Sequence, residues 1–290
     1  MIRELLAASR PFSWVNTAYP FAAGWLMATD GAIDVRLVVG TLFFLVPYNL
    51  LMYGVNDVFD YASDLANPRK GGIEGGLVDP SRARATHRRI LWACAVTTVP
   101  FVVWLLALGS PAAGVVLLLV VLDVVAYSAP PLRLKERPVL DSFSSAVHFV
   151  GPLLYALVLA DADLGAPTTW PVLVAFLLWG MASHAFGAVQ DVRADRTGGI
   201  ASVATVLGAR PTVLAATAAY VAAAAVLVVL PWPAVLAALL PLPYAVSTWR
   251  FRGVTDDDCE RANAGWRTFL WLNLVTGFLV TMLLIAVALT

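Results

Sequence analysis

Apolar runs of about twenty residues recur from residue 12 to the end of the chain, and this repetition fixes the environment before any motif is read. A helix that crosses a bilayer needs about 20 mostly apolar residues. Nine stretches qualify, near 12–29, 37–56, 90–108, 112–127, 139–160, 169–190, 212–231, 233–249 and 266–289. Charged residues make up 13% of the chain and mean hydropathy is +0.79, whereas soluble domains carry about 25% charge. The outer surface must therefore face lipid. Hydrocarbon cannot satisfy exposed backbone groups, so the expected fold is all-α, one polytopic membrane domain over 1–290. Tight hairpins are expected at Gly109-Ser110-Pro111 and Pro231-Trp232-Pro233. Cys94 and Cys259 do not form a disulfide framework. Pro20 in the first apolar stretch, followed by many further spans, argues against a cleavable signal.

Charge segregation orients the chain. With nine spans, the N-terminus and loops 56–89, 127–138, 189–211 and 249–267 share one side and hold 18 of the 19 basic residues. Arg36 alone falls on the other side, near Asp30 and Asp34. The positive-inside rule then makes the basic side cytoplasmic and places the C-terminus outside. The expected location is the cell membrane.

Two acidic motifs emerge on that basic side. The second span runs into GVNDVFDYASDLANPRKGG, where Asn56, Asp60 and Asp64 recur every four residues and Asp57 flanks the same helix face. The sixth span runs into HAFGAVQDVRADRTGG, where Asp191 and Asp195 repeat the spacing beside Gln190. Carboxylates this crowded repel one another unless cations sit between them. Magnesium takes oxygen ligands, often one or two carboxylates completed by substrate phosphates. The partial negative charge of a helix C-terminus also favours a cation there. Basic residues follow each motif: Arg69 and Lys70 after the first, Arg193 and Arg196 around the second. Carboxylate, metal and diphosphate, with basic groups on the outer oxygens, make a coherent ionisation site. Solvated loop charge is the bland alternative, and it does not account for five aspartates in two spaced sets within so charge-poor a chain.

A third element, YSAPPLRLKERP at 127–138, brings Tyr127, Arg133, Lys135 and Arg137 to the same side. Ionisable groups inside spans are functional suspects: Asp123 lies one turn before Tyr127, and Asp141, His148 and His184 are the others. A lone buried histidine is more often a satisfied structural group. Trp14, Trp25, Trp170 and Trp232 stand near span ends, as interfacial belts do. Phe43, Phe44, Tyr48, Tyr53, Phe143, Phe149 and Phe186 are placed where they could line a cavity, although ordinary packing explains them equally well.

The ordered set NDxxDxxxD, NPRKGG, YSxPPLRxK and DxxxD across nine spans resembles the UbiA superfamily of intramembrane prenyltransferases, over essentially the whole chain. The resemblance implies a nine-helix bundle around a lipid-open cavity, with magnesium and a prenyl diphosphate near the cytoplasmic face. It assigns Asn56, Asp57, Asp60, Asp64, Asp191 and Asp195 to the metal, and Arg69, Lys70, Tyr127, Arg133, Lys135 and Arg196 to the diphosphate. The segments SRPFSWVNTAYPFAAGWL, RPVLDSFSSAVHFVGP and SHAFGAVQDVRADR look like bacterial lycopene elongases. Those enzymes add five-carbon units from dimethylallyl diphosphate to the ends of lycopene. Such a reaction leaves a tertiary cation on the acceptor, and Asp123 or Asp141 could stabilise it, take its proton or orient water. Other carotenoid-pathway membrane proteins are candidate partners. The competing readings are a prenyltransferase for a quinone precursor, chlorophyll, haem or lipid acceptor, and a cation transporter. An anionic aromatic acceptor would want an inward basic residue, and the nine stretches hold no Arg or Lys beyond Arg267 at the edge of the last; transporter sites lie near the midplane rather than at one face.

Overall fold

The computed structural model describes residues 2–61 and 81–290. Its described residues form helices joined by turns. In chain order these are α1 (Ile2–Ser9), α2 (Trp14–Ala28), α3 (Val35–Leu45), α4 (Pro47–Phe59), α5 (Ala83–Leu108), α6 (Pro111–Ser128) and α7 (Leu140–Leu159). There follow α8 (Thr169–Val189), α9 (Val192–Thr197), α10 (Val203–Leu207), α11 (Ala209–Leu227), α12 (Leu242–Trp249) and α13 (Asn263–Ala288). Among the described residues, seven stretches are long and apolar enough to cross a membrane: Val35–Phe59, Ala83–Leu108, Pro111–Ser128, Leu140–Leu159, Thr169–Val189, Ala209–Leu227 and Cys259–Ala288. The other two expected spans are shorter. One is α2, 15 residues with Pro20 inside it. In Ala234–Trp249, a 3-10 segment Ala234–Leu239 leads into α12.

Boundaries moved where proline or arginine intervened. The expected span 37–56 is two helices, because Pro47 carries no N–H and ends the regular ladder at Val46. The carbonyls at that break are satisfied from the side. Asn49 Nδ2 donates to Phe44 O at 2.8 Å and to Thr17 Oγ1 at 2.7 Å, and Thr17 Oγ1 donates to Phe44 O at 2.7 Å. At the other extreme α5 starts at Ala83, seven residues before the apolar run, so Arg84, Arg88 and Arg89 ride on its first turns. Long basic side chains at a helix end extend to the interface while their stems stay apolar.

Contacts divide the chain into two compact units, Met1–Leu134 with Gly151–Ala162, and Lys135–Val150 with Asp163–Thr290. Helix α7 contributes to both. In the first unit α1, α5 and α6 pack on α4, and α2 packs on α3. Its core is aromatic: Phe21, Phe43, Phe44, Tyr48 and Tyr155 are all fully buried. Their rings stand 4.9 to 5.9 Å apart for Phe43–Phe44, Phe21–Phe44 and Phe44–Tyr155, contacts worth about 0.5–1.5 kcal/mol each beyond area burial. Phe43, Phe44 and Tyr48, expected as possible cavity lining, are therefore packing residues. Trp25, expected in an interfacial belt, is also fully buried, and its Nε1 donates to Ala32 O at 2.9 Å. Arg36 lies over its ring, 4.7 Å from the centroid, and pairs with Asp34 at 2.8 Å.

In the second unit α8 and α11 pack along their lengths. Ser183 and Tyr220 hydroxyls meet at 2.9 Å across that interface. Tyr244 of α12 reaches Asn273 at 2.8 Å and Thr276 at 2.9 Å on α13. Both cysteines are buried and free. Exposed apolar side chains run along α5 and α13, including Trp92, Trp104, Trp271 and Phe278. Such a surface suits acyl chains rather than water.

Candidate active site

The first acidic motif sits at the C-terminal end of α4. Asn56 and Asp57 lie in its last turn, and Asp60 is its C-cap, with Asp60 N–H donating to Asn56 O at 2.9 Å. The expected common face for Asn56 and Asp60 is thereby in place. Asp64, Arg69 and Lys70 lie outside the described residues. Two arginines already serve these acids. Arg10 Nη2 donates to Asp57 Oδ1 at 2.9 Å, and its guanidinium lies over the Tyr53 ring, 4.4 Å from the centroid. Arg133 approaches Asp60 Oδ1 at 3.9 Å and donates to Phe59 O at 3.5 Å. Arg10 was not among the sequence candidates. Its partner is 47 residues away, and no local spacing reveals that contact; its place just before Pro11 is the one mark in the sequence.

Asp123 and Tyr127 are half-buried on α6, one turn apart as the spacing required. The Tyr48 hydroxyl of the same unit lies within electrostatic reach of Asp123. Arg133 follows the cis Pro130–Pro131 peptide with φ of 40°. Lys135 stands in the 3-10 turn Leu134–Glu136.

The second motif is not the continuous helix that the sequence suggested. Helix α8 ends at Val189, Gln190 and Asp191 form a turn, and α9 carries Asp195. The i, i+4 relation survives, since Asp195 N–H donates to Asp191 O at 2.8 Å. The flanks are fastened firmly. Gln190 accepts from Asn263 Nδ2 at 2.6 Å and donates to Gly187 O at 3.0 Å. Arg196 donates through Nε and Nη2 to Thr205 O at 3.0 and 2.7 Å, and through Nη1 to Asp256 Oδ2. Asp256 Oδ1 in turn accepts from Ala209 N–H at 2.6 Å, at the start of α11. That backbone donor, together with Arg196, holds the Asp256 carboxyl below the usual carboxylate range. Asp141 is fully buried: Oδ1 accepts from Ser142 N–H and Oδ2 from Val203 N–H, both at 2.7 Å.

Oxygen chemistry of the donor set fits a hard divalent cation. Asn56, Asp57 and Asp60 offer an amide and two carboxylates within one helical turn, and guanidinium charge is already drawn to that spot. Among the described residues no three His, Cys, Asp or Glu side chains converge as a metal cage. Magnesium does not require one, because substrate phosphates and water commonly complete its shell.

The model of the UbiA prenyltransferase family matches residues 17–274. The chain belongs to the UbiA prenyltransferase family. It is an enzyme of that kind, which sets the transporter reading aside. It is 53% identical over 286 residues to the C(50) beta-cyclic carotenoids biosynthesis protein LbtBC of Dietzia sp. (strain CQ4), covering 98% of this chain and 65% of that one. The chain thus spans about two thirds of that relative's length. It is 46% identical over 286 residues to the lycopene elongase/hydratase of Corynebacterium glutamicum, covering 99% of this chain and 98% of that protein. A UbiA homologue from Archaeoglobus fulgidus solved with DMAPP and Mg2+ superposes with a TM-score of 0.70 at 17% identity, over 94% of this chain and 98% of that one. At that identity the likeness establishes the fold: an all-helical UbiA bundle in a multi-pass membrane protein.

Proposed function

We propose that this enzyme transfers a dimethylallyl group from its diphosphate to the ends of lycopene. The observation that carries the reading is the 46% identity, end to end, with the Corynebacterium lycopene elongase/hydratase. Asn56, Asp57, Asp60 and Asp64, with Asp191 and Asp195, would hold magnesium, which when bound supplies positive charge against the leaving diphosphate. Arg69, Lys70, Tyr127, Arg133, Lys135 and Arg196 are the proposed diphosphate contacts. Arg10, already drawn to Asp57, joins that group.

The remaining work falls to groups that manage the acceptor cation. Departure of the diphosphate leaves an allylic cation, and an electron-rich terminal alkene attacks it without any nucleophile needing activation. Asp123, half-buried one turn from Tyr127, is the proposed group that stabilises the resulting tertiary cation. The basic side of the chain, with the N-terminus and both motifs, is proposed to face the cytoplasm of the cell.

Expression in a lycopene-accumulating host, followed by pigment mass analysis, tests the acceptor. New carotenoids heavier by five-carbon units are expected. Unaltered lycopene alongside protein that releases pyrophosphate from dimethylallyl diphosphate would reject lycopene and leave the transferase standing. Pyrophosphate release that persists in EDTA would reject the metal.

A further inference from the structure

Helices α7 and α8 run antiparallel and come close at one point. A Cβ added at Gly180 would stand 2.8 Å from the Ala146 Cβ, so glycine is what permits the approach. Four residues from each contact partner, in opposite chain directions, lie Ser142 and His184. The same register therefore brings these two together, and Ser142 Oγ lies 3.2 Å from His184 Nδ1. Ser142 Oγ in turn donates to Asp141 Oδ1 at 3.4 Å.

This chain of contacts fixes the imidazole. When the serine hydroxyl proton is directed to Asp141, the hydroxyl oxygen accepts from Nδ1–H. Nε2 is then the basic nitrogen. Asp141 cannot drift, because its other oxygen holds Val203 N–H at 2.7 Å. His184 itself is half-buried, unlike Asp141, which is fully enclosed. Along the chain it stands seven residues before Asp191, two helical turns or about 10 Å deeper into the apolar span. That places it on the apolar side of Asp191, where an apolar acceptor would lie if the proposed metal ligands hold the donor's diphosphate.

We propose that His184 is the catalytic base that ends the reaction, with Ser142 and Asp141 as its positioning residues. The inference rests on the transferase reading above and adds the group that takes the proton. The C1–O bond of the allylic diphosphate breaks with its electron pair leaving on oxygen. The π pair of the acceptor alkene forms the new carbon–carbon bond and leaves a tertiary cation. Nε2 then takes a proton, either from the carbon beside the cation, giving an alkene, or from a water molecule that adds to it, giving an alcohol. In both cases the products are the extended polyene, diphosphate and one proton, which the imidazolium returns to solvent. One base serves both outcomes, so their ratio depends on whether water reaches the cation.

The test uses the full-length protein in lipid nanodiscs with magnesium, dimethylallyl diphosphate and lycopene. His184→Asn keeps a donor near the Nδ1 position and removes the base. Turnover to extended product is expected to fall about 100-fold or more, with magnesium-dependent binding of the donor and the melting temperature unchanged. Imidazole added to His184→Ala should restore part of the rate, which a purely structural histidine would not show. Ser142→Ala should lower turnover about 10-fold and alter the alkene-to-alcohol ratio. Two results overturn the proposal: His184→Asn within twofold of wild-type rate and product ratio, or a folded His184→Asn that no longer binds the donor. If the wild type leaves lycopene unchanged but prenylates another acceptor, the fault lies in the acceptor assignment. The same variants on that acceptor then decide the base, since its cation must also lose a proton.

Discussion

The two acidic motifs share an i, i+4 spacing, yet the protein holds them by different means. On the first, arginine side chains bond the acids themselves: Arg10 on Asp57 and Arg133 near Asp60. On the second, the described fastenings lie on the flanks. Gln190 is tied to Asn263, Arg196 to Thr205 and Asp256, and Asp141 anchors the start of α10 at Val203. Ion pairs between side chains can exchange partners when a metal and a diphosphate arrive. Backbone-directed bonds fix a loop in one place. The first motif thus carries guanidinium charge that can rearrange, and the residues flanking the second hold its loop in place, in part through backbone groups.

Removing the acids should have the largest effect and sharpen the contrast least, since both sets are proposed metal ligands. Asp57→Ala and Asp191→Ala should each lower pyrophosphate release by at least about 100-fold, because the proposed metal would supply several kcal/mol against the leaving charge. A pyrophosphatase-coupled phosphate assay at steady state reads this.

Asp141→Ala separates fixed geometry from chemistry. It strands two backbone N–H groups in the protein interior, at about 1–3 kcal/mol. A lower melting temperature is expected, with affinity for magnesium alone unchanged at the first motif. Gly180→Ala should cost a similar 1–3 kcal/mol by overpacking, with the two helices forced apart at Ala146. A melting curve without loss would show that the close approach is not needed.

Arg10→Ala breaks the comparison from the other side. Without its guanidinium Asp57 has less positive charge beside it, so the metal-free protein should lose up to about 1 kcal/mol. Magnesium alone should bind about as well or tighter, whereas donor affinity should fall several-fold, read by calorimetry. Equal loss of both would make Arg10 a structural tether.

The smallest effect is a pH slope. The Asp256 carboxyl is held below its ordinary value near 3.8 by Ala209 N–H and Arg196. Its contribution is therefore complete above that ordinary value and is lost as pH falls through the depressed one. Melting temperature measured downward from pH 5 should show a small acid decline that Asp256→Asn lacks.

The sequence carried most of the fold because lipid imposes a simple rule: apolar length makes a span, and basic loops mark one side. It also placed Asn56 with Asp60 and Asp123 with Tyr127, since one-turn spacing is a local property of a helix. The missed contacts are nonlocal. Arg10 meets Asp57 through the packing of α1 on α4, and Asp141 finds Val203 across 62 residues. Aromatic residues such as Phe43 and Phe44 could not be divided between packing and lining, because both uses ask for the same side chain. The early start of α5 is hidden in the sequence for the opposite reason: its first turns are basic, and hydropathy does not register helix that snorkels.

The antiparallel register of α7 and α8 also decides where this protein can tolerate insertions. The turn joining them, residues 160–168, can lengthen at little entropic cost without shifting Ser142 from His184. One residue added between Ser142 and Ala146 would instead rotate the serine by about 100° around its helix and detach it from the imidazole. Length variation among functional versions of this enzyme should therefore collect in that turn and spare residues 142–146 and 180–184.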